Sequence, residues 1–212
     1  MINDKGFIES MSDESLGRIV RLNAYLRSTS FYKMPASARF HGNHEGGLYE
    51  HSVSVFSNLL QMTQDMNLKW GRPESPYIVA FGHDVCKVDA YTMKDPGWEV
   101  LSEDDYGNTE VKCRYCGYEH DSKTEYCPKC DAHMGEWVRN PKHSGCHADL
   151  SLAMLQNAGI ELTEEEAACI RWHMGAFDDP QNWSNYTNAI SMFPNVLWTH
   201  TADMVAAHIN KI

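Results

Sequence analysis

The chain has 212 residues, 29 acidic against 18 basic, for a formal net charge of −11, and 42% of its residues are hydrophobic. That length holds one sizeable core, or one core plus a small module, and the apolar content excludes a disordered chain. The acidity excludes broad electrostatic binding to duplex nucleic acid, and no stretch approaches the roughly 18 apolar residues of a membrane span.

The N-terminal "MINDKGFIES" lacks the apolar segment of a signal peptide, which makes a cytoplasmic protein the expectation. Leu16, Ile19, Val20, Leu22, Tyr25 and Leu26 fall near helical spacing and predict a helix over 13–28. A polar, Gly-containing loop over 37–47 precedes a second helix over about 48–68. Ser75-Pro76 suits an N-cap and first turn, and predicts a helix through "YIVAFGHDVCKVDAY". Helical periodicity then stops: residues 91–146 hold four paired Cys, five Gly and three Pro, and read as a small β-rich insert. Beyond it, 147–158 predicts a helix ending at Gly159, and Thr163 with Glu166 predicts a capping box for a helix over 164–175. The last predicted helix covers about 195–210. The expected fold class is mostly α: a discontinuous helical domain, 1–90 and 147–212, interrupted by the insert at 91–146.

Of seven Cys, four form C-x2-C-x10-C-x2-C: Cys113, Cys116, Cys127 and Cys130. In a reducing compartment this spacing marks a metal site, because each C-x-x-C turn aims two thiolates at one ion. Two such turns make a closed tetrahedral site suited to structural zinc; the motif resembles a zinc ribbon, or the rubredoxin-like hairpin that can hold iron. Cys86, Cys146 and Cys169 read as ordinary buried thiols, and His120 and His133 as surface residues.

The 11 His outnumber the 10 Lys and the 8 Arg, which points to metal chemistry, since neutral imidazole is the commonest metal ligand. His83-Asp84 lies in an apolar run, where a charged pair is costly unless something binds it. Two adjacent residues supply at most two ligands. Candidate partners beside apolar residues are His51 in "HEGGLYEHSVSV", His147 in "HADLSLAML", His173 in "CIRWHMGAF" and Asp203 in "LWTHTADMVAAHI".

"GGLYEHSVSV", "GHDVCKVD" and "HTADMVAAHI" resemble the motifs of the HD superfamily of metal-dependent phosphohydrolases, over roughly residues 40–90 and 145–210. The resemblance implies an all-helical bundle of the HD type. It implies a ligand set of His51, His83, Asp84 and Asp203, with His147 and His173 as the further ligands of a two-metal branch. Met174 stands where that branch often carries a second His. Asp84 is implied as the bridge between ions and Lys87 as a phosphate-binding cation, with Arg39 and His41 reaching the substrate phosphate from the loop before Gly46-Gly47. His200 and His208 read as structural. The implied cofactors are one or two divalent ions (Mn, Fe, Co, Ni or Zn), besides structural zinc on the four Cys. The implied reaction is hydrolysis of a phosphate ester or phosphodiester, of a nucleotide or a nucleic-acid end, through a metal-activated water. A small nucleotide fits the acidity, with single-stranded nucleic acid the alternative partner; no membrane is implied, and a homo-oligomer stays open. The same six ligands also serve di-iron oxygenases, and a nuclease or a non-catalytic nucleotide-binding adaptor are further alternatives.

Overall fold

Ser12 accepts a hydrogen bond from the Ser15 amide and caps the first helix, α1 (Asp13–Arg27), whose first turn carries Asp13 and Glu14 against the positive end of the dipole. The fold is that of a computed structural model, which describes residues 7, 11–94, 97–104, 109–114, 116–121, 124, 127–130, 136–141 and 147–212. Cys146 and His133 lie outside these residues. Leu22 and Leu26 of α1 are buried as their spacing predicts, whereas Val20 turns outward and is 64% exposed.

The second helix, α2, spans Gly47–Asp65 and buries His51, Val55 and Leu59. The third, α3, spans Ser75–Gly82 and gives way to a 3-10 turn at Val85–Asp89. Two expectations are corrected here. Ser75 does not cap α3; it lies within the helix, and its hydroxyl donates to Glu166 Oε1 at 2.8 Å. Nor does one helix run through the His83-Asp84 pair. In an unbroken helix the Cys86 amide would donate four residues back; it donates instead to Ser151 Oγ at 3.2 Å, and the chain tightens to 3-10 geometry beyond Asp84.

After the insert come α4 (His147–Asn157), α5 (Glu164–Trp172), α6 (Trp183–Met192) and α7 (Asn195–Met204), which ends in a π-helical turn at Val205–Asn210. The capping box of α5 forms as its sequence predicts: Thr163 Oγ1 accepts from the Glu166 amide, and Glu166 Oε2 accepts from the Thr163 amide. α5 stops at Trp172, three residues short of the expected end, with His173 at its C-cap. Helix α2 packs on α3 and α7, and α5 on α4, α3 and α7. Phe31, Leu48, Val55, Leu59, Ile78, Leu155, Ile170 and Val196 fill the space between them at full burial. Each such side chain stabilises the fold by about 1.5–3 kcal/mol relative to an exposed one. A buried polar node ties three helices together: Arg18 of α1 meets Glu74 Oε1 at 2.7 Å and Glu166 Oε2 at 2.5 Å.

The insert is β-structured. Strand β1 (Tyr91–Lys94) pairs antiparallel with β5 (Glu136–Arg139), placing Tyr91 opposite Arg139. Strands β2 (Trp98–Glu103), β3 (Thr109–Cys113) and β4 (Glu119–His120) form a three-stranded antiparallel sheet. Trp98, Val111, Cys113 and Cys127 form a small core of their own against Tyr118. His120 is half-buried there, its ring stacked 6.4 Å from that of Trp98. The fold is mostly α with a small β insert at the cysteines. Among the described residues no helix is long and apolar enough to cross a membrane.

Candidate metal centre

The four cysteines of the insert converge. Cys113 Sγ lies 3.8 Å from Cys130 Sγ, and Cys116 Sγ 3.7 Å from Cys127 Sγ. Thiolates sharing one ion through zinc–sulfur bonds of about 2.3 Å stand about 3.8 Å apart at the corners of a tetrahedron, so the spacing fits a tetrahedral S4 site. Gly117, at φ +72°, turns the first knuckle and donates its amide to the Cys113 carbonyl at 2.8 Å. Burial would push the Cys127 thiol up, but the amides of Cys130 and Lys129 outweigh it and bring the pKa down to about 7, toward the thiolate a metal needs.

A second cluster forms where α2, the end of α3, α4, the end of α5 and α7 meet. Their tips deliver His51, His83-Asp84, His147, His173 and Asp203 to one place. The two oxygens of Asp84 face different partners. Oδ2 lies 3.3 Å from His83 Nε2, 3.7 Å from His51 Nε2 and 2.5 Å from Lys87 Nζ. Oδ1 lies 3.7 Å from His173 Nε2 and is in hydrogen-bond contact with His147 Nε2. Asp203 Oδ1 completes the first half, 3.0 Å from His51 Nε2 and 3.9 Å from His83 Nε2.

The hydrogen-bond pattern of three of these rings suits metal ligation. His51, His83 and His173 donate from Nδ1 to the main-chain oxygens of Ile212, Ala80 and Ile170 at 2.9, 2.8 and 2.7 Å. A donated Nδ1 proton leaves Nε2 as a bare lone pair in the neutral ring. All three Nε2 atoms are buried with no hydrogen-bond partner. Buried polar atoms seldom go unpaired, and three aimed at two carboxylates fit a cation. Donors that share an ion through bonds of about 2.1 Å stand about 3.0–3.4 Å apart, close to the shortest of these spacings.

Burial would raise the Asp84 carboxyl, but Lys87, His83 and His147 hold it well below its ordinary value. Burial likewise opposes ionisation of Asp203, but its contact with His51 outweighs burial and holds the carboxyl below its ordinary value. Burial, with His83 beside it, lowers His173 to about 3, so this ring is neutral. His147 goes the other way: burial disfavours its charge, but Asp84 raises it to about 10.

The cluster opens on a cavity of about 880 Å³, lined by Asp84, Asp203, Lys87, His41, His147 and His173. Lys87 reaches it from the 3-10 turn that follows Asp84. His41 lines it too, its ring 4.9 Å from that of His51, and burial together with His51 and Lys87 lowers its pKa to about 4. Arg39 is exposed and is not among the cavity's lining residues. Met174 lines the cavity beside His173, and so does His208. His200 lies behind the site, donating from Nδ1 to the His173 main-chain oxygen at 2.7 Å. It packs against Gly175, where a Cβ would lie 2.6 Å from the ring.

The Gly46-Gly47 pair has a steric role. A Cβ on Gly47 would lie 2.1 Å from the Gly42 carbonyl oxygen, so only glycine lets the His41 loop close over the start of α2.

Sequence reasoning missed two groups of residues here. Tyr91 and Arg139, paired across β1 and β5, also line the cavity, so the root of the insert forms one of its walls. Asn140 fastens that root to the Lys87 turn, donating from its amide to Ala90 O at 2.8 Å and from its side chain to Asp89 O at 2.9 Å. Phe40 and Phe177, exposed by 82% and 66%, stand at the same cavity. No sequence periodicity marks any of these; only the strand register and the loop closure bring them together. Comparisons add no relative: no protein-family model, curated protein or solved structure matches this chain.

Proposed function

We propose that the chain is a metal-dependent phosphohydrolase of the HD type, acting on the phosphate ester or phosphodiester of a nucleotide or a nucleic-acid end. One observation carries this reading: three buried imidazole nitrogens without a hydrogen-bond partner and two depressed carboxylates meet beside a cavity that also holds Lys87. His51, His83, Asp84 and Asp203 would hold one ion, and Asp84, His147 and His173 a second, with Mn, Fe, Co, Ni or Zn all suited to mixed imidazole and carboxylate ligands. Bound ions would supply Lewis-acid polarisation of a phosphoryl oxygen and lower the pKa of water.

The chain's own groups do the rest. Asp84 divides its oxygens between the two halves of the cluster, so it holds them at a fixed separation. Lys87 places a positive charge on the cavity side of Asp84, where charge on a phosphoryl group would gather. His41, held neutral, is suited to donate or accept a hydrogen bond without adding charge. Arg139 and Lys211 add positive charge to the cavity, although the chain as a whole is strongly acidic. Phe40 and Phe177 offer flat apolar faces on which a base can stack. A cavity near 880 Å³ falls within the range of about 300–1,000 Å³ typical of small-ligand sites, which favours a nucleotide over a duplex.

The test is metal analysis of the purified protein, followed by phosphate release from nucleoside mono-, di- and triphosphates and short oligonucleotides with added manganese. Turnover abolished by chelation supports the reading. Oxygen uptake by an iron-loaded form without phosphate release would assign the same ligands to oxygenase chemistry instead.

A further inference from the structure

The four imidazoles around Asp84 are not held alike. His51, His83 and His173 have side chains exposed by 1%, 0% and 1%, and each sends its Nδ1 proton to a main-chain oxygen. For His83 and His173 that oxygen lies three residues back in their own helix. His147 differs in both respects. Its side chain is 32% exposed, and it stands at the first residue of α4. Its Nδ1 reaches across to another element, to Cys86 Sγ at 3.4 Å.

We propose that Cys86 is the positioning residue for His147. Its sulfur accepts the Nδ1 proton, turns Nε2 toward Asp84 Oδ1, and so completes the half of the centre that His173 shares. The backbone of Cys86 strengthens the link. Its amide donates to Ser151 Oγ, one turn along α4 from His147, so Cys86 grips that helix by side chain and main chain together. The departure from helical geometry after Asp84 frees this amide and brings the sulfur to His147. Metal-ligating histidines almost always donate their second ring N–H to an acceptor that fixes the ring. Packing and a carbonyl do this for three of the rings here; the partly exposed His147 depends on a thiol, a weaker acceptor than a carbonyl.

The inference rests on the reading of the cluster as a metal centre, and the test separates the two. Cobalt is loaded into the histidine cluster of wild-type protein, Cys86→Val and Cys86→Ser, with zinc kept on the four cysteines of the insert. Each ligating imidazole with a protected Nδ1–H gives a strongly shifted proton resonance that disappears in D2O. The His147 resonance is assigned by its loss in His147→Ala. It is expected in wild type, absent or broadened by exchange in Cys86→Val, and restored in Cys86→Ser, whose hydroxyl can accept. By calorimetry, the weaker cobalt site is expected to lose about 10–100-fold in affinity in Cys86→Val, while the tighter site holds.

A Cys86→Val protein that keeps the resonance and both affinities overturns the proposal, as does a Cys86→Ser protein that loses them, which would assign the effect to packing. A sulfur-to-cobalt charge-transfer band lost in Cys86→Ser would make Cys86 a ligand and likewise overturn it. Wild-type protein with no cobalt outside the four cysteines overturns the metal-centre reading, and this inference with it.

Discussion

Lys87 Nζ stands 2.5 Å from Asp84 Oδ2, the oxygen that also faces His83 and His51. Burial alone would favour loss of its proton, but Asp84 outweighs burial and raises the pKa above its ordinary value of 10.5. A group raised in this way keeps its charge as the pH climbs through that ordinary value. Replacing Lys87 with Met should therefore leave bound metal in place and lower turnover by about 10²–10³-fold, the usual cost of removing one preorganised charge-stabilising group. Phosphate release measured beside metal content checks this. In the metal-free protein the Lys87 ammonium should not lose its proton below pH 10.5, which a pH titration of the Lys87 side-chain resonance checks.

Arg139 lies on the exposed face of β5 yet lines the cavity of Asp84. Arg139→Ala should raise KM for a substrate with a second anionic group by about 10–100-fold, as expected for losing a hydrogen bond to a charged group, with kcat nearly unchanged. Thermal stability should not move, because the side chain is exposed. A fall in kcat with constant KM would remove Arg139 from substrate binding.

The node of Arg18, Glu74 and Glu166 belongs to the scaffold. Arg18→Met leaves two carboxylates buried without their cation and should destabilise the fold by about 3–5 kcal/mol, measurable by urea denaturation. Burial would raise the Glu74 carboxyl, but Arg18 and Ser15 hold it below 4.5. The folded value being depressed, its contribution is fully present above 4.5 and is lost as the pH falls through the folded value. The wild type should thus lose stability on acidification below pH 4.5, and Arg18→Met should show a shallower acid dependence of its remaining stability.

How far the sequence reaches can be seen at particular residues. Thr163 and Glu166 announce their capping box because both partners lie within one turn, and the C-x-x-C pairs announce their site for the same local reason. The sequence reading places no helix at α6: "WSNYTNAISM" is rich in weak helix formers, and the packing of Tyr186, Ala189 and Ile190 against the core, rather than propensity, sets it. The break at Asp84 was equally hidden, because it depends on Ser151, 65 residues downstream of Cys86. Arg139 and Cys86 carry no motif of their own, and each gains its place from a partner distant in sequence: Tyr91 for one, His147 for the other.

Two metal pools should separate by mutation. Cys116→Ser should release zinc from the insert while the histidine cluster still binds manganese. Because the insert's root carries Arg139, loss of that zinc should weaken substrate binding more than turnover at saturation. Metal analysis with steady-state kinetics on the same sample gives both readings.

Metal content and phosphate release, compared in wild type and Asp84→Asn, test the central claim most directly. Asp84 faces both halves of the cluster with its two oxygens, so its loss should leave only the zinc of the four cysteines and abolish metal-dependent hydrolysis. An Asp84→Asn protein with wild-type metal content or wild-type turnover would contradict the account.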